Sequence, residues 1–257
     1  MARRTPGMWS PLRTPRAPTP AASPTRRAAA PTSAPPRVVR VAPDASDAWR
    51  LDPVVAALNA GALAVIPTDS FPALAVLASA RDGAALLYDA RRTPKAERRP
   101  LSLLCRGFAD VDAYTLGWPA PREGGEDLFR VAKRVLPGPY TLILPAAGAL
   151  KHVVDASTSK KKARRSVGVR LPAHPVARAV LAGVSGPLLV ASAAAPGGAC
   201  DAVEIADALA HAGSVAFVVD TGEAWPAEGS TVIDLAAAGG PKVVRRGLGD
   251  PSPWVDE

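Results

Sequence analysis

Acidic residues are absent from the first forty positions, although Arg3, Arg4, Arg13, Arg16, Arg26, Arg27, Arg37 and Arg40 all lie there. The formal charge of +8 is therefore carried by this leader, and residues 41–257 are neutral overall. That removes the inference a pI near 10.0 invites, of a body that attracts polyanions through its bulk charge. Cysteine is scarce as well. Cys105 and Cys200 supply neither a disulfide framework nor a ligand spacing, and both read as small buried or half-buried residues of a reducing compartment. His152, His174 and His211 stand apart from Cys, Asp and Glu at any metal spacing. Neither a GxGxxG turn nor a GxxxxGK loop occurs, which counts against dinucleotide-binding and P-loop assignments. The longest uncharged stretches are interrupted by Pro and Gly, so none reads as a membrane-spanning helix and no membrane partner is expected. The five tryptophans are scattered and form no stacking platform.

What the leader does contain is Pro, Ala, Ser and Thr without apolar periodicity, so it cannot bury enough surface to fold. Arg-rich, hydroxyl-bearing, acid-free and lacking an apolar h-region, it has the composition of an organelle address. A chloroplast is the expected destination, with a mitochondrion as the alternative because the prolines oppose an amphipathic helix. A disordered tail of biased composition is the plainer account. The expected layout is a leader over 1–40, one domain over 41–250 and a tail over 251–257.

Along the body, short apolar runs alternate with helical spacing. Strands are predicted at Val38–Val41, Leu63–Ile66, Ala73–Leu77, Leu101–Cys105, Tyr140–Leu144, Ser166–Leu171, Leu188–Ser192, Val215–Asp220, Thr231–Leu235 and Val243–Arg246. Helices are predicted at Asp52–Ala60, Arg81–Ala90, Asp110–Thr115, Glu126–Leu136, Pro175–Ala182 and Ala202–Ala210, the first stopped by Gly61. Continuous apolar strands alternating with helices indicate an α/β fold with a sheet buried on both faces.

Chemistry concentrates at strand ends. The run Pro67-Thr68-Asp69-Ser70 follows a buried strand and precedes another, so its hydroxyls and carboxylate need partners in the protein or in a ligand. As a turn it is ordinary, since Pro67 and Pro72 punctuate it and Asp and Ser cap backbone groups cheaply. The pattern recurs, however. Arg170-Leu171-Pro172, Ala191-Ser192-Ala193, Gly229-Ser230-Thr231 and Arg245-Arg246-Gly247 also end apolar runs in small, hydroxyl or cationic residues. Ligands of open α/β sheets bind where strand ends open a crevice, and hydroxyls with arginines suit a phosphorylated one.

Taken with PLSLLCRGF at Pro100–Phe108, LPGPYTLIL at Leu136–Leu144, VGVRLP at Val167–Pro172 and EGSTVIDL at Glu228–Leu235, this order resembles the YrdC-like family of threonylcarbamoyl-AMP synthases over Gly61–Gly247. Within that family it looks closest to the YciO-like subgroup. The resemblance implies a single twisted sheet of mixed parallel and antiparallel strands, helices packed around it, and a basic cavity at the strand ends. It also implies condensation of L-threonine, bicarbonate and ATP, with Mg2+ on the nucleotide, to threonylcarbamoyl-AMP and pyrophosphate for tRNA modification. The residues carried over are Lys95 and Ser192 as catalytic, with Thr68, Ser70, Arg170, Ser230, Thr231 and Arg245 binding substrate. The synthases' Lys-x-Arg falls on Thr93 and Lys95, their Ser-Ala-Asn on Ser192-Ala193-Ala194, and their Tyr-Gly on Pro72-Ala73. The alternative is a non-catalytic or weakly catalytic nucleotide- or double-stranded-RNA-binding protein. In it Arg91, Arg92, Arg98, Arg99, Lys160, Lys161, Lys162, Arg164 and Arg165 contact phosphates.

Overall fold

The computed structural model describes residues 35–121, 125–148, 166–193, 201–226, 228–237 and 239–254. Its strands are β1 (Arg37–Arg40), β2 (Leu63–Ile66), β3 (Ala73–Leu77), β4 (Ser102–Leu104), β5 (Tyr140–Pro145), β6 (Ser166–Arg170), β7 (Leu188–Ser192), β8 (Val215–Asp220), β9 (Thr231–Asp234) and β10 (Lys242–Arg245). The helices are α1 (Asp52–Asn59), α2 (Gly83–Ala90), α3 (Phe108–Tyr114), α4 (Leu128–Val135), α5 (Pro175–Gly183) and α6 (Ala202–Leu209). Their starts are written locally. Asp201 and Glu204 form a reciprocal capping box on α6, the Asp127 carboxylate accepts from Phe129 N on α4, and Gly61 ends α1 with φ +86°.

The ten strands form one sheet in the order β1-β8-β2-β3-β7-β4-β6-β5-β9-β10. Four pairings are parallel, β1/β8, β2/β8, β4/β6 and β5/β9, and the other five are antiparallel. Alternation along each strand divides the core in two. One face carries Val65, Leu74, Leu103, Leu142, Val169 and Ile233 beneath α2, α4 and α6. The other carries Ile66, Ala75, Leu104, Val190 and Val219 beneath α1 and α5. Each fully buried Leu or Val on these layers contributes about 1.5 to 3 kcal/mol.

The second layer stops short. It includes Leu104 of β4 but nothing from β5, β6, β9 or β10. On those strands the same face presents Gly168, Arg170, Thr141 and Arg245, continued by Ser102 of β4, together with the half-buried aliphatic side chains of Ile143 and Val232. A sheet half-covered by apolar residues and half-lined by polar ones holds its helices to one side and leaves a polar shelf on the other.

Two ends differ from expectation. The strand predicted at Val38–Val41 is present as Arg37–Arg40, the edge strand paired with Phe217–Asp220, so the leader's charge-based bound at residue 40 falls past its start. Counting charge does not register that Val39 packs against the core from between them. At the other end Trp254 is buried and its ring lies 6.2 Å from that of Tyr140, so part of the expected tail is core. Cys105 is buried too, and burial pushes its thiol up, away from reactivity. Cys200 lies outside the described residues.

Candidate functional site

Because Ile66 pairs with Ala73, residues 67–72 form a six-residue connection between two central strands. Its own bonds make it a turn: the Thr68 hydroxyl donates to the Phe71 carbonyl at 2.8 Å and accepts from Ser70 N at 3.2 Å. Its outward bonds make it more than one. Arg170, at the end of β6, directs Nη2 to Ser70 Oγ at 2.6 Å, Thr68 Oγ1 at 3.2 Å and Asp69 Oδ1 at 3.3 Å. The other Asp69 oxygen accepts from Ala173 N at 2.9 Å, which clamps the turn to the chain leaving β6. Only 10% of the Arg170 side chain is exposed, and its Nε has no partner among the described residues. Burial pushes this guanidinium down from its ordinary value, Asp69 pulls it back, and the charge of Arg245 adds to the downward push. Arg170 stays charged all the same, since arginine does not deprotonate in proteins.

Arg245, at the end of β10, carries a second guanidinium on this face of the sheet. It donates to the Ser230 carbonyl through Nη2 at 2.8 Å and Nε at 3.2 Å, and Nη2 is also 3.3 Å from Ser230 Oγ. That hydroxyl meets Thr141 Oγ1 at 2.7 Å. Between these groups the floor is Gly168, where a Cβ would stand 2.7 Å from Ser102 Oγ and 3.1 Å from Thr141 Cγ2. Ser192 closes the opposite side: it pairs with Ala73, and Ala193 N donates to the Pro72 carbonyl at 2.8 Å. A buried guanidinium whose Nε has no acceptor among the described residues, an exposed second guanidinium and the hydroxyls of Thr68, Ser70, Ser102, Thr141, Ser192 and Ser230 constitute a candidate oxyanion-binding shelf.

Residues 56–247 match the family model Sua5, YciO and YrdC, which carries the description "Telomere recombination". The chain belongs to the Sua5/YciO/YrdC family. It is 31% identical over 201 residues to mouse threonylcarbamoyl-AMP synthase, covering 75% of the chain and 65% of that protein. It is 29% identical over 216 residues to the Escherichia coli K12 protein YciO, described as uncharacterized, covering 83% of the chain and 96% of YciO. The crystal structure of E. coli YciO superposes with a TM-score of 0.70 at 26% identity, covering 86% of this chain and all of the other. The fold is shared with P. abyssi Sua5 in complex with L-threonine, at TM-score 0.65 and 22% identity, over 82% of this chain and 57% of that one.

The structure brings together most of the Sua5/YciO/YrdC residues carried over by motif: Thr68, Ser70, Arg170, Ser230 and Arg245, with Ser192 beside them. Thr231 is different. It pairs with Tyr140 on the covered face, and its hydroxyl donates to the Gly249 carbonyl and accepts from Gly247 N, so it holds the end of β9 and does not face the shelf. Lys95 opens a short 3-10 turn, Lys95–Glu97, and its side chain lies outside the described residues. Lys160, Lys161, Lys162, Arg164, Arg165 and Ala194 lie outside them as well. Arg91, Arg92 and Arg99 are exposed, whereas Arg98 lies 4.6 Å from the centre of the Tyr88 ring and 3.7 Å from Asp89. The Asp69 carboxylate finds its partners in Arg170 and Ala173 N, and Ser102, Thr141 and Gly168 are site residues that the motifs containing them do not single out. The alternation in Tyr140-Thr141-Leu142, a hydroxyl between two buried side chains, was the signal available for Thr141. His174 caps α5, its Nδ1 accepting from Val176 N at 3.2 Å, and burial holds it below the usual histidine range.

Proposed function

We propose that this chain is a threonylcarbamoyl-AMP synthase, condensing L-threonine, bicarbonate and ATP to threonylcarbamoyl-AMP, pyrophosphate and water for tRNA modification. The observation that carries it is the buried Arg170 guanidinium held on the Thr68 and Ser70 hydroxyls, with Arg245 on Ser230 along the same sheet face. In this proposal the threonine amine takes up bicarbonate with loss of water. An oxygen of the resulting carbamate then forms a bond to the α-phosphorus of ATP while the bond to the pyrophosphate oxygen breaks. No protein nucleophile is needed, so positioning and charge neutralisation supply the catalysis. Arg170 and Arg245 balance the developing charge, Thr68 and Ser70 orient threonine or its carbamate, and Ser192 and Ser230 border the adenylate. Lys95 meets the departing phosphates. Mg2+, implied by the family resemblance, would come with ATP and would supply further charge neutralisation on its phosphates. Incubating the purified protein with ATP, labelled threonine and bicarbonate should release pyrophosphate and labelled adenylate. No product, under conditions where an authentic synthase works, would overturn the proposal.

A second reading, a nucleotide- or double-stranded-RNA-binding protein without this activity, is favoured by the exposure of Arg91, Arg92 and Arg99. Binding of tRNA through those arginines must weaken steeply as salt rises. Affinity that stays flat between about 50 and 200 mM salt removes them from the account. The leader is proposed to direct the protein to a chloroplast, or alternatively a mitochondrion. Diffuse fluorescence from a reporter carrying residues 1–40 would contradict both.

A further inference from the structure

Phe71 sits within the site's own turn yet joins neither apolar layer of the protein. It is half-buried, and its carbonyl accepts from the Thr68 hydroxyl, which anchors the backbone that carries the ring. The ring edge rests against Gly229. A Cβ on that glycine would stand 3.2 Å from Phe71 Cε2 and 2.9 Å from Arg245 Nη2, so ring and guanidinium flank one point. No side chain at position 229 separates them. A phenylalanine left out of both cores, beside a cation that faces a polar shelf, offers a flat apolar surface next to an anion-binding group. A planar heteroaromatic ring linked to a phosphate satisfies both at once: the phosphate meets guanidinium, and the base meets the phenyl ring.

We propose that Phe71 is the base-recognising wall of this site and sets its preference for a nucleotide over a bare sugar phosphate. This rests on the nucleotide site described above and adds to it a residue that discriminates the base. An aliphatic side chain in its place keeps the loop filled but removes the π-face.

Titration calorimetry with AMP and with ribose 5-phosphate tests it on the wild-type protein and on Phe71→Leu and Phe71→Trp. The wild type is expected to bind AMP more tightly than ribose 5-phosphate. Phe71→Leu should weaken AMP by about ten-fold and leave ribose 5-phosphate unchanged, as loss of one base-to-ring stack requires. Phe71→Trp should keep AMP affinity, which separates loss of the π-face from damage to the turn. Equal weakening of both ligands in Phe71→Leu, or no change in either, overturns the assignment while leaving the nucleotide site standing. A wild-type protein that binds neither ligand overturns the nucleotide site, and this assignment with it.

Discussion

Replacing Arg170 by Met is expected to lower affinity for phosphorylated ligands about 100-fold and to destabilise the fold by about 3 kcal/mol. The two effects have different origins. The stability loss comes from what Arg170 leaves behind. Asp69 retains one bond, from Ala173 N, but its other oxygen loses the guanidinium, while the buried Ser70 and Thr68 hydroxyls lose their common donor. A half-broken buried ion pair costs more than the pair was worth. The binding loss comes from charge and from the N–H at Nε, which has no acceptor among the described residues. Adding Asp69→Asn to Arg170→Met should therefore recover much of the stability, since no uncompensated carboxylate remains, and recover none of the binding. Arg170→Lys should keep the charge but bind poorly, because an ammonium cannot present the planar fork that reaches three loop acceptors and a ligand together. Chemical denaturation and titration with AMP read the two quantities separately. Full affinity in Arg170→Met would remove this residue from the anion site.

How much of this was legible beforehand depends on the range of the interaction concerned. Strands β2, β3, β7 and β8 occupy the stretches expected of them, because each is a continuous apolar run bounded by Pro, Gly or a polar residue and so is decided by its immediate neighbours. The sheet order is another matter. That β7 separates β3 from β4, or that β5 lies between β6 and β9, follows from long-range register. The site divides along the same line. Thr68, Ser70, Arg170, Ser230 and Arg245 stand in contiguous motifs and could be picked out from them. Ser102, Gly168 and Thr141 are site residues because three strands align: Ser102 pairs with Gly168, and Gly168 with Ile143, next in sequence to the Leu142 that follows Thr141. Thr231 shows the converse. It shares a motif with Ser230, but one step along a strand reverses the face, so adjacent hydroxyls serve opposite sides of the sheet.

Gly247→Ala should be the most damaging glycine substitution at the rim of the site. The position needs no left-handed backbone, so the cost is steric. A Cβ there would stand 2.2 Å from the Gly229 carbonyl oxygen and 2.7 Å from both the carbonyl carbon and oxygen of Ser230. These are backbone atoms and cannot rotate aside. The same junction is tied by Gly247 N donating to Thr231 Oγ1 at 3.0 Å and Leu248 N to the Gly229 carbonyl at 3.0 Å, with Arg245 gripping the Ser230 carbonyl. Relieving the overlap must part the entry of β9 from the exit of β10 and give up those bonds. Overpacking against fixed atoms together with lost hydrogen bonds amounts to about 3 kcal/mol, which in a domain of this size lowers the melting temperature by roughly 6 to 12 °C. Gly148→Ala is the control: a Cβ there meets nothing within 4 Å, and stability should stay within about 0.5 kcal/mol of wild type. Because Ser230 and Arg245 ride on the displaced strands, Gly247→Ala should also weaken AMP binding below its melting transition, where the protein is still folded. A variant that melts with the wild type would mean these strand ends part without cost, and the shelf they hold would lose its rigid side.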